Sequence, residues 1–123
     1  MRLRYGSAMS LEWEQVTVAA NDPIALGQWW CEALGWVVVD DGPVIFETRP
    51  EADQIPGLLF LPVNDAKQGH NRLHLDLRPD DQDAEVERLV ALGATRADVG
   101  QGDVSWVVLA DPEGNEFCVL SAG

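Results

Sequence analysis

The chain has 123 residues, 46% of them apolar and 24% charged, a balance that suits one globular domain with a single core. Eight basic residues against 21 acidic ones give a net charge of −13, which excludes the basic face that nucleic acid or an anionic membrane surface requires. No apolar run approaches the roughly 20 residues of a membrane-spanning helix.

Residues 1–10 hold basic side chains with no apolar stretch behind them. They read as a flexible lead-in rather than a signal peptide, and 11–123 reads as a single domain. In Trp13-Glu14-Gln15-Val16-Thr17-Val18-Ala19 the valines alternate with Gln15 and Thr17, the period of a half-buried strand. Asp22 suits an N-cap and Pro23 a first helical position; the stripe Leu26, Trp29, Trp30, Ala33, Leu34 continues the helix, and Gly35 closes it. Trp36 to Val39 and Val44 to Glu47 read as two strands joined by a turn at Asp41-Gly42-Pro43. Residues 48–57 form a loop, and Leu58-Leu59-Phe60-Leu61 is a further strand.

The same order then returns. Leu73-His74-Leu75-Asp76-Leu77 alternates as a strand. Pro79-Asp80-Asp81 opens a helix with Val86, Leu89, Val90 and Leu92 on one stripe, and Gly93 closes it. The acidic run Asp80-Asp81-Gln82-Asp83 is accounted for by the helix dipole. Short strands are expected near Thr95–Val99, over Ser105–Leu109 and over Glu116–Leu120, the last two joined by the turn Asp111-Pro112-Glu113-Gly114-Asn115. Strand, helix and three strands thus occur twice, in module one over about 11–65 and module two over about 70–123. The architecture predicted is α+β with largely antiparallel pairing, the two halves curving their sheets into a trough. The alternative is a ferredoxin-like domain, which lacks the extra strand in each half.

Alternation assigns the faces. If the helix of module two covers Leu73, Leu75 and Leu77, then His74 and Asp76 face the trough; Gln15 and Thr17 do so in module one, and Glu116 and Cys118 in the last strand. Trp29, Trp30 and Trp36 read as core, whereas Trp13 and Trp106 suit the flat wall of a cleft. His70 and His74 are four apart, but Gly69 precedes them and a strand pattern follows, so His70 reads as a loop residue. His74 and Asp76 are the acid–base candidates, and Trp13, Gln15, Thr17, Trp106, Glu116 and Cys118 the ligand-binding ones. Cys118 has no basic sequence neighbour to activate it. Cys31 and Cys118 make no disulfide framework, so a reducing cytoplasm is expected. Open sheet edges predict a homodimer.

Gln15 to Pro23 with Leu34-Gly35, Asn71 to Leu77, and Asp111 to Leu120 together resemble the modules of the vicinal oxygen chelate superfamily, the glyoxalase/bleomycin resistance/dioxygenase group. The resemblance runs from about Glu12 onward and is nearest to small stand-alone glyoxalase-like proteins. It implies paired βαβββ modules around a cleft, and a divalent metal such as Zn, Fe, Mn or Ni held by one residue from each of four strands. Carried over, the ligands are Gln15 and His74, while the other two positions fall on Leu61 and Cys118, so the set is incomplete and the cofactor is either such an ion or none. Two functions follow from the resemblance. One is a lyase, isomerase or dioxygenase type of enzyme acting on a small oxygenated or planar molecule with a degenerate metal site. The other is a non-catalytic protein that binds or sequesters such a molecule, as in bleomycin resistance.

Overall fold

The structure is a computed structural model that describes residues 11–69 and 71–122. The predicted lead-in over 1–10 and the predicted loop residue His70 lie outside the described residues. Module one contains β1 (Gln15–Ala20), α1 (Pro23–Leu34), β2 (Val37–Asp40), β3 (Phe46–Arg49) and β4 (Gly57–Pro62). Module two repeats the order with β5 (Asp76–Leu77), α2 (Gln82–Leu92), β6 (Thr95–Arg96), β7 (Val107–Ala110) and β8 (Glu116–Val119). Each forms a four-stranded sheet of the same topology, β1-β4-β3-β2 and β5-β8-β7-β6. The first strand of each module pairs in parallel with the last and the other pairings are antiparallel, so the largely antiparallel α+β expectation holds with one unforeseen parallel pair in each sheet.

Local chemistry sets the helix ends where expected. The Asp22 carboxylate accepts from the Ala25 N–H, and the Asp81 carboxylate from the Ala84 N–H, each satisfying an orphan donor of the first turn. Gly35 has the left-handed backbone (φ 67°) of a helix C-cap, at almost no steric cost for glycine. Asp81 rather than Pro79 or Asp80 caps α2.

Four strand expectations are corrected, one of them Ser105–Leu109, which begins only at Val107. The strand expected over 44–47 begins two residues later, with Phe46 and Thr48 buried beneath α1. The strand expected near Thr95–Val99 ends at Arg96. The alternating strand over 73–77 is reduced to Asp76–Leu77, and Leu73 is 85% exposed instead of lying under a helix. Its partner explains why: the parallel ladder with β8 runs only from the Leu75 carbonyl to the Leu77 carbonyl. Residues 71–74 lie beyond that ladder, so alternation there has no sheet face to fill.

One core crosses both modules. Trp29 and Trp30 of α1 meet Phe117 of β8 edge-on, with centroids 6.1 and 4.9 Å apart. Trp30 Nε1 donates to Asp111 Oδ2 at 2.9 Å, and Trp29 Nε1 to the Leu92 carbonyl at 3.2 Å. Asp111 is itself buried, and its other oxygen accepts from the Glu113 and Asn115 N–H groups that close the β7–β8 turn. Glu113 then clasps the Asn21 and Asp22 N–H groups ahead of α1, at 2.7 and 2.9 Å. The turn that sequence composition marks as a mere connection is therefore also the bolt between modules.

Candidate functional site in module two

Strand β8 separates core from site by its pleat. Phe117 and Val119 enter the core, and Cys118 turns to the opposite face. In register, Cys118 sits between Asp76 of β5 and Val108 of β7, so these three side chains form one row across the sheet. His74 precedes Asp76 by two residues, and its Nε2 lies 3.1 Å from Asp76 Oδ1. Both members of that pair are about half exposed, so it contributes only about 0–1 kcal/mol. Its value is geometric, because it holds the imidazole over the row.

The row floors a hollow of about 640 Å³, walled by Trp106, Val99 and Leu120 and edged by Asn71, Gln101 and Glu116. The volume lies in the range of small-molecule sites, as does the mixture of apolar wall and few polar groups. Burial pushes the Cys118 thiol pKa up; the adjacent Asp76 charge and a hydrogen bond to Asp76 push it the same way. Cys118 is thus a protonated donor to Asp76 at neutral pH, not a thiolate nucleophile.

A second hollow, of about 600 Å³, lies between module one and residues 71–75. Trp13 and Thr17 line it, and His74 and Glu116 border both hollows. Gln15 lines neither. It is half-buried opposite Gly57 in sheet one, and Leu61 pairs with Ala19 in the same ladder. Gln15 and His74 therefore do not share either of these two hollows.

Asp76 supplies an oxygen donor beside His74 and Cys118. The ligating atoms of His74, Asp76 and Cys118 all lie within 4.8 Å of one another. One nitrogen, one oxygen and one sulfur donor suit Zn²⁺, which takes such ligands at about 2.0–2.3 Å and keeps an open position in reactive sites. They suit Mn²⁺ poorly, since it prefers oxygen. The donor set thus fits a borderline-soft ion provided the thiol gives up its proton.

Glu116, which borders both hollows, also has a structural task. Its carboxylate accepts from the Asn71 N–H at 3.0 Å and pairs with Lys67 Nζ at 2.8 Å, tying the inter-module segment to β8. Alternation places Glu116 on the correct face but cannot reveal a lysine arriving from a loop. Asn71 and Gln101 are site residues that sequence reasoning missed; both come from loops without periodicity.

A glyoxalase-like domain model matches residues 15–120. No curated protein matches the chain in sequence. Among solved structures, a glyoxalase/bleomycin resistance protein/dioxygenase family enzyme from Burkholderia phytofirmans PsJN is similar with a TM-score of 0.69 at 17% identity, over 89% of this chain and 97% of that one. Leishmania major glyoxalase I gives a TM-score of 0.69 at 16% identity, over 91% and 87%. TnmS3, an antibiotic-binding protein from Streptomyces sp. CB03234, gives 0.60 at 20% identity, over 96% and 100%. At such identities the likeness is one of fold. The family match spans both repeats, including the β1 and β8 motifs that carried the resemblance, and the chain belongs to the glyoxalase-like domain family of the vicinal oxygen chelate superfamily.

Proposed function

We propose that this chain binds a planar, oxygen-bearing small molecule in the hollow floored by Asp76, Cys118 and Val108. The observation that carries the reading is the row itself: a hydrogen-bonding His74–Asp76 pair at one end and apolar walls with the half-exposed Trp106 at the other. A flat ring would lie against Trp106 and Val108, while its oxygens meet the imidazole and carboxylate. Sequestration of such a molecule needs no complete metal set, which Leu61 and Cys118 do not supply at the family's positions. Titration calorimetry with a panel of flavones and hydroxyflavones tests this. Binding should weaken about tenfold in Trp106→Ala, and the preference for hydroxylated members should vanish in His74→Ala. No heat from any member with the wild type would refute it.

The N, O and S donor cluster favours a second reading, an enzyme of lyase, isomerase or dioxygenase type. His74, Asp76 and Cys118 would hold Zn²⁺, which supplies Lewis-acid polarisation of a bound oxygen. Zn²⁺ titration separates the two. Uptake of one ion per chain with release of the thiol proton, lost in Cys118→Ser, supports the metal reading; no uptake at millimolar Zn²⁺ leaves binding alone. The proposal includes a homodimer, for which the exposed edge-strand residues Val37, Val38 and Val39 offer apolar surface, and a sedimentation velocity run reads it directly. It also includes a cytoplasmic setting, which the free thiols of Cys31 and Cys118 support. Among the described residues no helix is long and apolar enough to cross a membrane.

A further inference from the structure

The His74–Cys118 hollow carries an unbalanced set of charges. Its lining includes two carboxylates, Asp76 and Glu116, and no lysine or arginine. Glu116 is neutralised by Lys67 Nζ at 2.8 Å. Asp76 has no such counter-ion. Among the described residues its one ion-pair contact is the half-exposed His74 imidazole, and its other neighbour, the Cys118 thiol, is protonated and uncharged. Arg72 and Arg78, the arginines nearest to Asp76 in sequence, line the other hollows of the chain. The whole chain has a net charge of −13. A concave site with one sign of charge and apolar walls focuses its field outward and draws in the opposite ion.

Both ends of the hollow are accessible to an arriving molecule. Trp106 is 39% exposed and Val99 38%, and the Asp76 side chain is 53% exposed. An ionised carboxylate offers about four acceptor positions. The imidazole and the thiol engage two of them, so Asp76 can still receive N–H donors from a ligand. Trp106 is the one aromatic side chain of the lining, and an indole is the ring that attracts a cation best.

We infer that the ligand of this hollow is a cation, which rests on the proposed function and adds a charge to the ligand named there. It is a planar, oxygen-bearing molecule that also carries an ammonium group, with its ring against Trp106 and Val99 and its ammonium on Asp76.

The test titrates three probes that share one ring system into the whole chain by calorimetry, at low salt and without added metal. They are 2-(2-naphthyl)ethylamine, 2-(2-naphthyl)ethanol and 2-naphthylacetate. At about pH 8 the alkylamine is a cation and an ordinary imidazole is uncharged. The amine should bind about fivefold more tightly than the alcohol, the scale of one half-exposed ion pair, and the acetate less tightly than the alcohol. Asp76→Asn should erase the advantage of the amine. Glu87→Gln removes the same charge from α2, away from the three hollows, and should keep that advantage. Trp106→Ala should weaken amine and alcohol both. Methyl-labelled wild-type protein should show NOEs from the naphthyl protons of the bound amine to the Val99 and Leu120 methyls, which locates the probe even if Asp76→Asn fails to fold. Equal affinity for amine and alcohol overturns the inference and leaves the hollow as a site for neutral rings, so the proposed function stands. An advantage that survives Asp76→Asn, one lost in Glu87→Gln, or absent NOEs overturn it equally. An amine that does not bind at millimolar concentration also overturns it, and the proposed function falls with it only if the flavones give no heat either.

Discussion

Cys118 shows how one side chain takes its chemistry from a strand that is distant in sequence. Nothing near it in sequence marks an altered thiol, and its small size suits a buried position. The β5–β8 register brings Asp76 beside it, and burial and that carboxylate together favour the protonated form. The folded thiol therefore titrates above its unfolded counterpart. The stabilisation this supplies is complete below the unfolded thiol pKa and is lost as pH rises through the folded one. Iodoacetamide alkylation of metal-free protein, followed by mass spectrometry, should show Cys118 reacting only at higher pH than a free thiol. Asp76→Asn removes the charge and leaves the burial, so the onset should move down in pH without reaching the free-thiol value. An unchanged onset in that variant would mean that Asp76 exerts no field on the thiol.

At the level of elements, the sequence was most legible where the determinants are local. Asp22, Pro23 and Gly35 bound α1, and Asp81 and Gly93 bound α2, because a cap is a matter of a few adjacent residues. The strand at 73–77 misled because its alternation is real but its partner is short, and pairing length belongs to β8 rather than to Leu73. The faces of Asp76, Cys118 and Glu116 followed from alternation, whereas His74 lies beyond the ladder and meets Asp76 from outside it. Which of them touch did not, since register across β5, β8 and β7 is non-local. Close approach was equally invisible. Gly27 lies mid-helix in α1, where alanine would be the better helix former by about 1 kcal/mol. A Cβ there would overlap the Phe46 side chain, with the Phe46 Cβ at 2.7 Å and two ring atoms closer still. Phe46 is fully buried and cannot swing away. Gly27→Ala should thus lose more by overpacking, about 1–3 kcal/mol, than it gains in propensity, and urea unfolding should show a lower midpoint. A midpoint at or above the wild-type value would show that α1 can lift from β3 freely.

Across the whole molecule, the repeat raises the question of whether two modules mean two folding units. Among the described residues their sheets share no inter-strand ladder, which taken alone suggests independence. The packing says otherwise, since Trp29 and Trp30 of module one are buried against Phe117 of module two, and the Asp111 and Glu113 turn grips α1 at two levels. Trp30 and Asp111 act as one contact: deleting the carboxylate strands the buried indole N–H and also opens the turn that Glu113 needs. Asp111→Ala should therefore cost about 3 kcal/mol. Trp30→Phe removes the donor, and once it is absent the Asp111 carboxylate has less to lose. The double variant should be less destabilised than the two single losses added together, by at least about 0.5 kcal/mol. Unfolding followed by tryptophan fluorescence, which reports the junction, and by far-UV circular dichroism, which reports both modules, should give one shared midpoint in the wild type and in all three variants. Strict additivity would remove the bolt from the account, and separated midpoints would show that each βαβββ module unfolds on its own.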